Sequence, residues 1–322
     1  MNKKTILLIG AGQLGSRHLQ SLVKLNNSVH LIVVDPSQAA LKTSEERARE
    51  IDGWDRHTFS YQKSLKNLPP LDFAVIATSA NIRRKVVEEL LSIGTVKKIL
   101  LEKVLFQSAK DCIDMGVLFK KKDIDVWTNA PRRMWPFYNQ LKQELKNERI
   151  LSLKQGGSNW GLACNSYHFL DLFSFLTDDA NISLSSDLLN RKPIESKRAG
   201  FKEATGTLCG KFSNGTVFSI SDYQDKALAS NLIIETNKRI FMIDELHHSI
   251  ISISGQPLPH ELIFEVKYQS DLTHLVAKDI FSSGSCKLTP YEEASLLHQE
   301  MLNTFAVCFP QSKEGDLICP IT

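Results

Sequence analysis

Thr5-Ile6-Leu7-Leu8-Ile9-Gly10-Ala11-Gly12-Gln13-Leu14-Gly15 is the stretch that decides how this chain is read. Thr5–Ile9 reads as a short strand, apolar without alternation from Ile6 on, as a strand buried on both faces of a parallel sheet requires. Gly10, Gly12 and Gly15 follow in the spacing GxGxxG, and a helical pattern runs on from about Leu14 to Leu25. In that setting Gly10 allows a tight turn, Gly12 leaves room for a pyrophosphate, and Gly15 lets helix and strand pack closely. The new helix, through the backbone of Gln13 and Leu14, offers N–H groups and a partial positive charge to phosphates. Asp35 lies 20 residues after Gly15, at the end of a second apolar run, Val29–Val34. Its carboxylate is placed to accept hydrogen bonds from the ribose hydroxyls of an adenosine. A 2′-phosphate there would face a like charge, at a cost of roughly 4 kcal/mol for ~4 Å and an effective dielectric near 20. NAD is therefore expected over NADP. The other reading of Asp35 is a plain cap for the helix that follows.

Outward from this stretch, strand and helix patterns alternate. Ser37 is a plausible N-cap for a polar helix to about Ile51, and a weak edge strand lies near His57–Ser60. Phe73–Ala77, Lys98–Leu101 and Ile124–Thr128 read as further buried strands, separated by helices over Ile82–Ile93 and from Ser108 to about Lys120. Such β-α units demand a doubly wound parallel sheet with helices on both faces. The pattern changes after Asn129. Helices are expected at Pro136–Leu145 and Ser166–Leu176, with a strand at Leu151–Lys154 between them. Ala204–Phe212 and Thr216–Tyr223 flank Ser213-Asn214-Gly215, and Leu232–Thr236 and Arg239–Ile243 flank Asn237-Lys238, two hairpin signals. Ser249–Ser254 and Leu262–Lys267 are further strand candidates, and Thr289-Pro290-Tyr291-Glu292 opens a last helix with proline at N1. The fold class is thus α/β. A Rossmann dinucleotide-binding domain over 1–128 precedes an α+β domain over 129–322, built on a mostly antiparallel open sheet.

Size and charge agree. A chain of 322 residues favours two domains. Lys plus Arg is 39 and Asp plus Glu 36, a net +3 that is too small to suggest nucleic acid as partner. Lys120-Lys121-Lys122 reads as a solvated helix end. Met1-Asn2-Lys3-Lys4 is followed by only four apolar residues before the glycine turn, which is too short for a signal peptide. No run approaches the ~18 apolar residues that cross a bilayer. The six cysteines contain no CxxC pair, and His247-His248 lacks the partners of a metal site. The expectation is a cytoplasmic protein with reduced thiols, no metal and no membrane partner.

The glycine turn continues as Gly15-Ser16-Arg17-His18. Glu102-Lys103 follows a buried strand, Asn129 precedes Arg132-Arg133, and His168-Phe169-Leu170-Asp171 lies in the second half. In this order and spacing the sequence resembles the Gfo/Idh/MocA family of NAD(P)-dependent oxidoreductases over essentially its whole length. The resemblance implies an NAD cofactor, a sugar, cyclitol or nucleotide-sugar substrate, and a homodimer or homotetramer formed through the C-terminal sheet. It also implies that the loop Thr78-Ser79-Ala80 covers the phosphate and nicotinamide-ribose side of the cofactor. Glu102-Lys103 matches the family's Glu-Lys-Pro motif, with Val104 in place of proline. His168 matches the catalytic histidine, with Asp171 three residues later. Where the family's dehydrogenases commonly carry an aspartate four residues before that histidine, this chain has Cys164, with Asn165 and Tyr167 as the nearby polar side chains.

The chemistry follows from residue types. Oxidation of a secondary alcohol needs a hydride acceptor, a proton acceptor and a group that steadies negative charge on oxygen. Lys103, as an ammonium, suits the last role, and the imidazole of His168 suits proton exchange near neutral pH. Both are expected at one substrate carbon. Each has a plainer reading, Lys103 as a surface lysine and His168 as a satisfied core histidine. Arg133 and Arg132 offer guanidinium forks for an acidic substrate group or for salt bridges, and Asn129 joins the expected substrate contacts. Trp160 and Trp135 offer flat faces for a sugar ring or belong to the core. Two other functions remain open: non-redox sugar chemistry assisted by NAD, and dinucleotide binding without catalysis.

Overall fold

The computed structural model describes residues 3–224, 229–253, 264–309 and 317–322. These form two compact units, the first drawn from Met1–Leu105, Asp114–Pro131 and Lys267–Tyr291, the second from Phe106–Ile113, Arg132–Val266 and Glu292–Thr322.

The first unit runs β1 (Lys4–Ile9), α1 (Gln13–Val23), β2 (Val29–Val34), α2 (Gln38–Arg49), β3 (Thr58–Gln62), β4 (Phe73–Ile76), α3 (Ala80–Ile93) and β5 (Lys98–Leu101). It continues with the part of α4 (Ala109–Lys122) from Asp114, and with β6 (Asp125–Thr128). The strands stand in the order β6-β5-β4-β1-β2-β3, all parallel. This is a Rossmann sheet, and the order reverses between β1 and β4, where such sheets bind ligands beyond their carboxyl ends. Burial explains the unbroken apolar runs: Ile6 and Leu7 are fully buried, as are Val75 and Ile76 on β4. Each such side chain contributes roughly 1.5–3 kcal/mol. Ser37 caps α2 as expected, its hydroxyl accepting from the Ala40 N–H at 3.2 Å.

The second unit runs α5 (Pro136–Leu145), β7 (Ile150–Gly156), α6 (Leu162–Thr177), β8 (Ile182–Ser185), β9 (Ile194–Glu195), β10 (Lys202–Glu203), β11 (Gly206–Phe212), β12 (Val217–Asp222), β13 (Asn231–Thr236), β14 (Ile240–Asp244) and β15 (Ser249–Ile253). Its sheet is ordered β15-β14-β13-β7-β12-β11-β8, antiparallel at every pair except β7–β12. Both expected hairpins are present. Gly215 takes φ +91° in the first turn, and the Thr236 N–H donates to the Arg239 carbonyl across the second. β9 and β10 form a separate two-stranded ribbon.

Three expectations are corrected, and one helix is added. α6 begins at Leu162, not Ser166, because Gly161 turns the chain at φ +87° just before it. Residues 264–267 of the expected strand Leu262–Lys267 are irregular, and its first two residues lie outside the described ones. Pro290 does not open the last helix. With Thr289 it forms β16, which pairs antiparallel with β6, and α8 starts one residue later (Tyr291–Phe305). The helix α7 (Thr273–Ser283), unread in the sequence, lies with β16 in the first unit.

Candidate active site

In the first unit the glycine turn has the geometry its spacing implies. Gly10 sits at φ +93°, and a Cβ there would stand 2.9 Å from the Ala77 carbonyl. A Cβ on Gly15 would stand 1.8 Å from the Gly10 oxygen, so only glycine fits. At Gly12 a Cβ would meet nothing within 4 Å. Gly12 is also the N-cap of α1. Gly12 has no side chain to cap the helix and the first turn holds no acid. Among the described residues nothing accepts from the N–H groups of exposed Gln13 and half-buried Leu14, which are open to a ligand.

Asp35 has the bonds that its reading as a cap for the following helix requires. One carboxylate oxygen accepts the Ala11 N–H at 2.7 Å and so braces the glycine turn; the other accepts the Ser37 N–H at 2.8 Å. Each oxygen keeps a further lone pair for a ribose hydroxyl. The backbone of Thr78 lies against Gly10, and its buried hydroxyl has no partner among the described residues. Ser79 donates to Asn81 at 2.7 Å. An uncrowded glycine, an uncapped helix start and an orphaned hydroxyl fit a dinucleotide.

Glu102, 3% exposed, ends in a polar cluster. Its Oε1 accepts from Asn129 Nδ2 at 2.5 Å and meets His18 Nε2 at 2.9 Å. His18 Nδ1 meets the Thr273 hydroxyl at 2.8 Å, and Asn129 also donates to Gln269 at 2.7 Å. Burial alone would raise the Glu102 pKa, but the bonds from His18 and Asn129, with the charges of His18 and Arg83, hold it below the ordinary value. Asn129, expected at the substrate, is thus engaged within the first unit. Lys103 follows, half-buried, and its peptide with Val104 is cis without a proline.

In the second unit α6 presents Asn165 and His168, both half-buried. Three residues apart, they share a helix face. Asn165 Nδ2 donates to the Trp160 carbonyl at 2.7 Å, and Trp160 Nε1 donates to the Ser221 carbonyl at 2.9 Å. The half-buried Trp160 ring meets Phe169 edge-on. Tyr167 points elsewhere: it is fully buried and its ring lies 3.9 Å from that of His298, which places it in the core. Arg133 is also engaged. Its Nε donates to Asp171 at 3.0 Å, its Nη2 donates to Glu293, and Asp171 is wholly buried. The fork therefore braces α6 against α8. Arg132 makes a two-point pair with Glu245 at 2.7 and 2.6 Å. His247 pairs with Asp244, and no cluster among the described residues could hold a metal ion.

Two buried residues escaped the sequence reading. Glu203 caps α6 by accepting from the N–H groups of Ala163 and Cys164, and also from that of Ala204. Burial raises its pKa against the pull of these bonds. Cys164 Sγ faces the Lys202 carbonyl at 3.7 Å. Arg83 on α3 is 1% exposed and donates to backbone carbonyls of Thr78, Val104 and Leu105. No local signal marks either, since Glu203 reaches Ala163 and Cys164 across about 40 residues and Arg83 reaches Val104 and Leu105 across 21 and 22.

Residues 4–130 match the family described as the Gfo/Idh/MocA oxidoreductase family, NAD-binding Rossmann fold. These residues belong to that family. A search of curated proteins gives no match. Among solved structures, the chain resembles a UDP-N-acetylglucosamine 3-dehydrogenase from Acidithiobacillus ferrooxidans at 14% identity and TM-score 0.70, covering 94% of this chain and 97% of the other. It resembles the WlbA dehydrogenase from Bordetella pertussis, in complex with NADH and UDP-GlcNAcA, at 16% identity and TM-score 0.70 over 94% of both chains. Scyllo-inositol dehydrogenase from Lactobacillus casei, with NAD(H) and scyllo-inositol, gives 14% identity and TM-score 0.66 over 94% and 95%. At these identities the likeness is one of fold, and it extends the Gfo/Idh/MocA architecture to the second unit. The cofactor of this NAD-binding oxidoreductase fold is NAD. No described helix is long and apolar enough to cross a membrane.

Proposed function

We propose that the protein is an NAD-dependent oxidoreductase moving a hydride between nicotinamide and a secondary alcohol or ketone of a sugar, cyclitol or nucleotide-sugar. The open start of α1, set between Asp35 and Thr78, carries this reading. The substrate class is taken from the names of the structural relatives, two of them dehydrogenases of a nucleotide-sugar and an inositol. When bound, NAD supplies the hydride acceptor. Gly10, Gly12, Gln13, Leu14 and Gly15 receive its pyrophosphate and Asp35 its adenosine ribose, which disfavours a 2′-phosphate. Thr78, Ser79 and the Glu102 end of β5 border its nicotinamide side. Lys103 holds the substrate oxygen as negative charge develops. His168 exchanges the hydroxyl proton, while Asn165 and Trp160 orient the ring.

The second sheet supports self-association as a homodimer or homotetramer. Ile251 and Ile253 are 58% and 47% exposed, and Met242, paired with Ile251, extends the same apolar face. Light scattering on the purified protein tests this.

Calorimetry with NAD and NADH, followed by a panel of sugars, cyclitols and nucleotide-sugars, tests the function. NADH should accumulate with one class. Lys103→Met and His168→Asn should each slow turnover at least about a hundredfold while NAD still binds. Unchanged turnover in both variants would remove the assignment, and product without NADH accumulation would move the protein to non-redox sugar chemistry.

A further inference from the structure

We propose that Arg83 is the positioning residue for Lys103, a buried tie that joins the turn after β4 to the turn after β5. The proposal deepens the reading above and rests on it for the role of Lys103. β4 and β5 are parallel neighbours, paired Ala74 with Ile99 through Ile76 with Leu101. Their carboxyl ends therefore lie side by side, one leading to Thr78 and the other to Lys103. From α3, which follows the first turn, the Arg83 side chain reaches back under both. One guanidinium nitrogen donates to the carbonyls of Val104 and Leu105, the latter at 2.9 Å, and another donates to the carbonyl of Thr78. The side chain is 1% exposed.

A purely packing role fits this position poorly. A buried cation is expensive to desolvate, and an apolar side chain of like volume would serve a helix-to-sheet contact better. A planar fork with several donors does what an apolar residue cannot: it fixes carbonyls from two separate turns at one point. Those carbonyls flank Lys103 on one side and belong to the cofactor-side Thr78 on the other. The Arg83 charge also helps keep Glu102 ionised. Glu102 adjoins Lys103 and is bonded to His18 on α1 and Asn129 after β6. Arg83 thus completes a polar web across the carboxyl ends of β1, β4, β5 and β6, and so holds Lys103 in one place before any ligand arrives.

The test compares the wild type with R83M and R83K by amide hydrogen exchange and by NADH titration. In R83M, exchange at residues 78–79 and 103–106 should rise about tenfold or more while that of β1 and β2 is unchanged, which separates local release from general loss of stability. NADH affinity should fall about tenfold, and millimolar guanidinium ion should restore it. R83K covers the case in which R83M does not fold: one ammonium cannot span both turns, so exchange should rise at one and not the other. Unchanged exchange at both turns in the folded variants overturns the proposal and leaves the function standing. A wild type that does not bind NADH overturns the function, and the exchange measurement still decides whether Arg83 ties the turns.

Discussion

α1 and α6 both start at a glycine, Gly12 and Gly161, and treat their first N–H groups differently. At α6 the carboxylate of Glu203 accepts from Ala163 and Cys164, so the helix start is closed by the chain itself. At α1 no group among the described residues accepts from the Gln13 or Leu14 N–H, and the first turn is touched instead by Arg47, which donates to the Ser16 hydroxyl at 2.7 Å. Two other helices, α2 and α4, are capped by serine, with Ser37 bonded to the Ala40 N–H and Ser108 to the Asp111 N–H, while the N-cap residues of α3, α5 and α7 make no such bond. What sets the start of α1 apart is the uncrowded Gly12, where an added Cβ would meet nothing within 4 Å, and such an open helix start has the geometry to receive an outside anion.

The comparison can be broken most severely at Gly15. A Gly15→Ala methyl would lie 1.8 Å from the Gly10 oxygen, so the variant should lose more than ~4 kcal/mol of stability or fail to fold, as read by denaturant titration. Gly12→Asp would instead turn α1 into a second α6. The backbone at Gly12, φ −64° and ψ −164°, suits a capping aspartate, so the variant should fold at least as stably as wild type. Its NADH affinity should drop about a hundredfold, because a carboxylate now stands where the pyrophosphate belongs. Retained affinity would show that the open start is not the anion site. Glu203→Ala is the reciprocal change. It should lower stability by about 1–2 kcal/mol for the lost cap, with NADH affinity unaffected.

The smallest effect is a pH dependence at Glu102. Its carboxyl titrates lower in the folded than in the unfolded chain, so its contribution is present above the ordinary value of 4.5 and lost as pH falls through the folded one. Glu102→Gln should therefore flatten the acid side of the stability profile measured by denaturant midpoints. An acid limb as steep as that of the wild type would count against the cluster.

What could be read from the sequence was what the backbone dictates locally. Gly10 and Gly15 are compelled by a positive φ and a close contact within a few residues, and Asp35 by its place at a strand end. Tyr167 was misplaced with its neighbours because each helical residue turns the direction by about 100°, so its ring enters the core while His168 faces another way. Glu203 acts on an N–H 40 residues earlier, a separation no local pattern reports. Arg83 stands beside Arg84 on one helix, with nothing local in the sequence to tell the two cations apart. Arg84 is paired with Glu88 at 2.9 Å, and only the fold separates it from Arg83. Arg133 had two readings that sequence could not separate, and burial of Asp171 favoured the ion pair.

The return of Lys267–Tyr291 to the first unit has a consequence for synthesis. β6 gains its outer partner only when Thr289–Pro290 arrives, and His18 meets Thr273 across a gap of 255 residues. On the ribosome the first unit therefore stays unfinished until residue 290 has emerged, so the earlier-made part of its sheet must be held in solution with the β6 edge bare.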